Sequence, residues 1–178
     1  MNDYNNLEIL KEKEPKRKLE FELIPSSSWH NNLRKILTKR QWGEISKAVR
    51  KNANGRCEIC GREVNKLHAH ETWEFFKDSE QCKNVQKLVK IRALCPLCHS
   101  TIHIGRTACL GNEETALKWY AKVNNISLHQ AVLDEKKALD TFEARSKSNW
   151  DVDINEDYLQ ALISNNKKTK NKKIKKSS

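Results

Sequence analysis

Apolar residues recur at helical spacing in several separate stretches of the chain and alternate with polar ones in a few others. Leu33, Ile36 and Leu37 lie at i, i+3 and i+4, which predicts a short amphipathic helix after Pro25 and the serines Ser26 to Ser28. Thr38-Lys39-Arg40-Gln41 has the form of a capping box, so the chain restarts there as a second helix with Trp42, Ile45 and Val49 on its buried face. Leu67 to Phe76 is aromatic and alternating enough for a short hairpin, Lys77 to Asn84 reads as a loop, and Val85 to Leu94 is apolar. Cys98 to His103 opens a short helix. Further on, Asn112-Glu113-Glu114 places acids in a first helical turn, with Leu117, Tyr120 and Ala121 as the apolar face up to Asn124-Asn125. Ser127-Leu128-His129-Gln130 is a second capping box, opening a longer helix whose Leu128, Val132, Leu139 and Phe142 face the core. Trp150 to Ile154 suits a short strand and Asp157 to Ile163 one or two turns of helix. Near the start, Leu19 to Ile24 alternates like an edge strand or an extended arm, after a mixed-charge segment that reads as disordered.

These elements predict an α+β fold, mostly helical: a small ββα domain flanked by helices, with a disordered basic C-terminal tail. The expected division is 1–24 as an extension, partly disordered, 25–54 as a basic helical segment, 55–110 as the ββα domain, 111–163 as C-terminal helices and 164–178 as the tail. A length of 178 residues, 32% of them charged, with a mean hydropathy of −0.83, suits one compact unit with loose ends. No apolar run is long enough for a membrane span, and the N-terminus lacks the basic-then-apolar layout of a secretory signal, so the expected location is cytoplasmic.

Charge changes the picture in one place. Seven lysines between Lys167 and Lys176 account for the difference between the net charge of +11 and the +4 of the remainder. Between Arg34 and Arg56, Arg34, Lys35, Lys39, Arg40, Lys47, Arg50, Lys51 and Arg56 stand against a single acid, Glu44. A basic patch of that kind on folded helices points to phosphate, and so to DNA or RNA.

The densest chemistry lies between Cys57 and His103. Cys57-Glu58-Ile59-Cys60 and Cys95-Pro96-Leu97-Cys98 are two Cys-x-x-Cys knuckles, and four thiolates make a closed tetrahedral zinc site. Cys82 and Cys109 are left over and read as small, partly buried side chains. A knuckle, a hairpin and a second knuckle opening a helix together describe a treble-clef finger. His70 falls at the end of the expected first strand, and His99 and His103 are at i, i+4 on the helix, hence on one face. These imidazoles are candidates for a second metal, whereas His68 is read as packing or hydrogen-bonding within the finger.

The run Cys-x-x-Cys, a hairpin carrying histidines, then Leu94-Cys95-Pro96-Leu97-Cys98-His99 and His103 resembles the HNH endonucleases, whose ββα-metal fold carries such a structural zinc. The resemblance covers about a third of the chain; more loosely, the flanks resemble bacterial and phage HNH-like proteins. It implies that His70 and His103 are ligands of a catalytic metal. The family's water-activating imidazole falls on Glu71, and its middle Asn falls near Lys90, so both positions depart from the pattern.

The resulting expectation is a nuclease in which Glu71 is the base, His70 and His103 hold Mg2+, Mn2+ or a second Zn2+, and His99 is a further ligand or orienter. The alternative is an inactive zinc-finger module that binds DNA or RNA or blocks a nucleic-acid enzyme. A third reading is a protein-interaction adaptor with Trp119 and Tyr120 facing solvent, and the C-terminal helix leaves room for a homodimer.

Overall fold

The computed structural model describes residues 16–164. Residues 16–25 form an extended arm that joins no strand, so of the two forms expected for Leu19 to Ile24 the edge strand is not adopted. Its backbone is satisfied by helices instead. Asn124 takes the Leu19 N–H on Oδ1 at 3.0 Å and donates Nδ2 to the Leu19 carbonyl at 2.9 Å, while the Glu22 N–H reaches the Ile102 carbonyl at 3.1 Å. Leu19 is fully buried and Phe21 stacks on Tyr120 at 4.0 Å, so apolar packing holds the arm where its charge suggested a loose end. Of the mixed-charge run up to Lys18 that was expected to be disordered, residues 1–15 lie outside the described residues, as does the Lys-rich tail beyond 164, whereas Arg17 is held by Asp134 at 2.6 Å.

Helix α1 (Leu33–Ile36) is short, and α2 (Lys39–Asn52) follows through a reciprocal capping box. Thr38 Oγ1 accepts the Gln41 N–H at 3.2 Å, and Gln41 Oε1 accepts the Thr38 N–H at 2.9 Å. Ile45 and Val49 are buried and Trp42 half-buried, as their spacing predicted.

The hairpin is longer than expected. Strands β1 (His68–Asp78) and β2 (Lys83–Leu94) pair antiparallel, so Leu67 to Phe76 supplies one strand, not a whole hairpin. The presumed loop shrinks to residues 79–82. Lys77 pairs with Asn84 and Asp78 with Lys83 where both faces meet water, so no alternation marks those strand ends. Asp78 Oδ1 closes the turn by accepting the Glu80 and Gln81 N–H groups at 3.0 and 3.1 Å. A register shift between Thr72 and Trp73 bends β1. Strand β3 (Asp151–Asp153) adds to β2 in parallel, completing the sheet in the order β1-β2-β3.

After the hairpin come α3 (Pro96–Ile102) and α4 (Ile104–Cys109), separated at His103, whose ψ of 47° leaves the helical range. Then follow α5 (Glu113–Asn124), ended by Asn125 in the left-handed region, and α6 (Leu128–Ser146). Residues 156–164 are again helical. Helix α6 is turned differently from its apolar pattern: Leu128, Val132 and Leu139 are 43, 46 and 42% exposed, and Ala131 and Glu135 are buried in their place. The cause is polar. Asp134 on the inward side accepts from Arg17 Nε at 2.6 Å, Tyr120 Oη at 3.1 Å and Gln130 Nε2 at 2.8 Å. With its amide committed there, Gln130 completes only half of the second capping box, its N–H on Ser127 Oγ at 3.1 Å. One cluster of buried residues runs from Leu19 through Trp73, Leu94 and Tyr120 to Leu159. Among the described residues no helix is long and apolar enough to cross a membrane.

Candidate metal centres and the cleft beside them

The first knuckle is built by a tight turn. Gly61, at φ +72°, sends its N–H to the Cys57 carbonyl at 2.9 Å, and the Cys57 N–H reaches the Arg62 carbonyl at 2.9 Å. In the second, Cys95 caps α3, Pro96 takes the first helical position, and the Cys98 N–H points at Cys95 Sγ at 3.4 Å. The knuckles are tied together: the Glu58 N–H bonds the Ala93 carbonyl at 3.0 Å, and its carboxylate accepts the Ala93 N–H.

All four sulfurs consequently lie within 4.8 Å of one another. Cys60 and Cys95 are 3.8 Å apart, and a tetrahedral site with metal–sulfur bonds near 2.3 Å requires sulfurs about 3.8 Å apart. Cys57, Cys60, Cys95 and Cys98 thus form a donor set able to hold one metal ion, consistent with zinc. Cys57 is pushed down to about 4 by its hydrogen bond with Cys98, which is itself pushed up by that contact; burial pushes Cys95 up. Trp119 donates its indole N–H to Cys98 Sγ at 3.3 Å, and the Arg62 guanidinium lies 4.3 Å over its ring. Trp119 is therefore half-buried support for the sulfur cluster and Tyr120 is fully packed, against the adaptor expectation that both face solvent. Cys82 and Cys109 are exposed, contrary to their expected partial burial, and stand outside the cluster.

A second group forms from β1, α3 and the break after it. His70, His99 and His103 each offer a ring nitrogen within 4.8 Å of the others, with ring centroids 4.9 to 5.5 Å apart. Helical spacing brought His99 and His103 together as expected, although His103 lies just past the end of α3. His99 is held down to about 3 by burial and then by His103; His103 is held down to about 4 by burial and then by His70. Both are neutral at pH 7, the form that donates a lone pair to a metal. His68 stands with its ring 5.0 Å from His99 but outside the trio.

Sequence reasoning missed Glu22. Its Oε2 lies 2.9 Å from His70 Nε2 and its other oxygen pairs with Arg92, the residue directly opposite His70 in the hairpin. With Nε2–H given to that carboxylate, Nδ1 keeps the lone pair. A carboxylate behind a ligating imidazole orients it and raises its basicity. The alternation around Glu22 was visible, but not the fold-back that delivers it.

Glu71 lines the same cleft as the three imidazoles. Its Oε2 accepts the Leu33 N–H at 3.3 Å and the Trp73 indole N–H at 3.1 Å, and burial nevertheless pushes its pKa up. Lys90, near which the family's middle Asn would fall, sits inside β2 opposite Thr72. The cleft has a volume of about 660 Å³ and brings Trp29, Trp42, Arg34 and Phe142 beside the imidazoles.

All eight basic residues singled out in the sequence, Arg34, Lys35, Lys39, Arg40, Lys47, Arg50, Lys51 and Arg56, are exposed. At about 100° per residue, the five on α2 fall within an arc of roughly 120°, opposite Ile45 and Val49. Arg34 lies 5.3 Å over the Trp42 ring, and Arg56 pairs with Glu63 at 3.0 Å. No protein-family model, curated protein or solved structure matches the chain.

Proposed function

We propose that this chain is an HNH-like metalloprotein, with zinc in a treble-clef finger, that hydrolyses phosphodiester bonds of nucleic acid in the cytoplasm. The observation that carries the reading is the convergence of His70, His99 and His103 in a cleft. Three nitrogen donors leave a position open and suit zinc or a similar borderline ion better than magnesium, which prefers oxygen. Such an ion supplies Lewis-acid activation of water and of a phosphoryl oxygen when bound.

The chain's own residues supply the rest. Glu22 orients His70 through Nε2. Glu71, whose pKa burial raises, is a stronger base than a solvent-exposed carboxylate and is the group that would accept a proton from water. The exposed bases on α2 and Arg34 attract the backbone. A non-catalytic nucleic-acid-binding module is the second reading, favoured because Glu71 Oε2 already serves the Leu33 N–H and the Trp73 indole.

The test is metal stoichiometry of the purified chain together with nicking of supercoiled plasmid in zinc, manganese or magnesium. Two ions per chain, nicking abolished by His99→Ala and by Glu71→Ala, with one ion retained by His99→Ala and both by Glu71→Ala, is the expected result. A single ion with no nicking under any metal would falsify the hydrolase and leave the binding module.

A further inference from the structure

Two polar atoms of side chains lining the cleft have no hydrogen-bond partner among the described residues. They are Ser28 Oγ and Gln86 Oε1, on side chains only 1% and 0% exposed. The amide of Gln86 is fixed in orientation because Nε2 donates to the Asn31 carbonyl at 3.0 Å. That leaves Oε1 as an acceptor with no donor. Buried acceptors are nearly always met, and one left unmet beside a cleft points to a donor carried by a ligand.

The surroundings say what kind of ligand. Trp29 is 61% exposed yet does not swing freely, since its Nε1 donates to the Ile24 carbonyl at 3.0 Å. Its indole face is thus held out at the cleft. Trp42 lines the same space beneath the Arg34 guanidinium, and Arg106 brings a second positive charge. An aromatic face, a buried acceptor and flanking cations match in turn the ring face, the donor edge and the phosphate of one nucleotide.

We infer that the cleft receives an unpaired base of single-stranded nucleic acid, stacked on Trp29, with an amino or ring N–H on Gln86 Oε1 and a neighbouring phosphate at Arg34 and Arg106. A base still paired in a duplex exposes neither its ring face nor its Watson–Crick edge, so it would first have to be extruded. The inference rests on the phosphodiesterase reading in one respect, that the strand held here runs past the three imidazoles. Binding itself requires no metal in that site.

Fluorescence anisotropy of the full, zinc-loaded chain tests it, using a labelled single strand of about 12 nucleotides and its duplex, without added divalent ion. The single strand should bind at least tenfold more tightly than the duplex, and Trp29→Ala should lose about tenfold or more of that affinity. Trp29 is exposed, so its truncation leaves the core intact. Gln86→Leu should in addition narrow the differences among homopolymeric strands. Equal affinity for strand and duplex, or unchanged binding by Trp29→Ala, overturns the inference. A mononucleotide bound as tightly as the oligonucleotide overturns it in favour of a small-molecule site. Trp29-dependent strand binding without any cleavage keeps it while removing the hydrolase reading, and cleavage without Trp29 dependence does the reverse.

Discussion

At the scale of single residues, Glu22 has the most to explain, because one carboxylate serves both His70 and Arg92. Both partners are nearly buried, and each has a different use for it. For Arg92 it is the counter-charge; for His70 it fixes which ring nitrogen keeps its lone pair. Glu22→Gln keeps the shape and removes the charge. Affinity for the second ion should fall about 10- to 100-fold, as is usual when the partner behind a ligating histidine is weakened. The sulfur site should be untouched, since Trp119 and the backbone support it. Chelator-competition titration of both ions reads the two outcomes separately. Undiminished affinity at the histidine trio would mean that Glu22 serves Arg92 alone.

At the scale of elements, the seam between α5 and α6 carries a carboxylate where an apolar residue was expected. Glu135 is buried there, and burial, followed by the Glu113 carboxylate to which it is hydrogen-bonded, raises its pKa from 4.5 to about 6. A raised acid favours the protonated form in the folded state. Its contribution is therefore fully present below pH 4.5 and lost as the pH rises through about 6. Glu135→Gln should stabilise the chain by about 1–2 kcal/mol at pH 7 and by nothing below pH 4.5, readable as a difference in chemical denaturation at the two values. An equal effect at both pH values would show that packing, not charge, decides that position. The same helix marks where sequence reading stops. Knuckles, capping residues and the His99–His103 spacing act within a few residues, so they were legible in order. The rotation of α6 depends on Asp134 meeting Arg17, 117 residues earlier, and Glu22 meets His70 from 48 residues away. Such contacts leave no local period. The hairpin's polar ends failed for the opposite reason: they are held by backbone pairing that side-chain alternation does not record.

At the scale of the whole molecule, two sources of positive charge compete to explain any affinity for nucleic acid. One is the folded set on α1, α2 and Arg56, all exposed; the other is the seven lysines between 167 and 176. Each phosphate neutralised on a single strand contributes about 0.7 to the slope of log affinity against log salt, so the two can be counted. Removing residues 165–178 lowers the net charge from +11 to +4 without touching the cleft. If the tail is only an electrostatic attractor, the shortened chain should bind more weakly at low salt with a shallower slope. Its preference for single strand over duplex and the penalty of Trp29→Ala should stay as they were, because stacking on an indole is insensitive to salt compared with phosphate contact. Charge reversal at Lys39 and Lys47 should instead reduce slope and affinity in the shortened chain as well, since these bases flank the folded face. Anisotropy titrations from low to moderate salt on the full and shortened chains, each with and without Trp29→Ala, and on the charge-reversed shortened chain separate the terms. A shortened chain that no longer prefers single strand would move the discrimination from the cleft into the tail, and the aromatic pocket would then need another occupant.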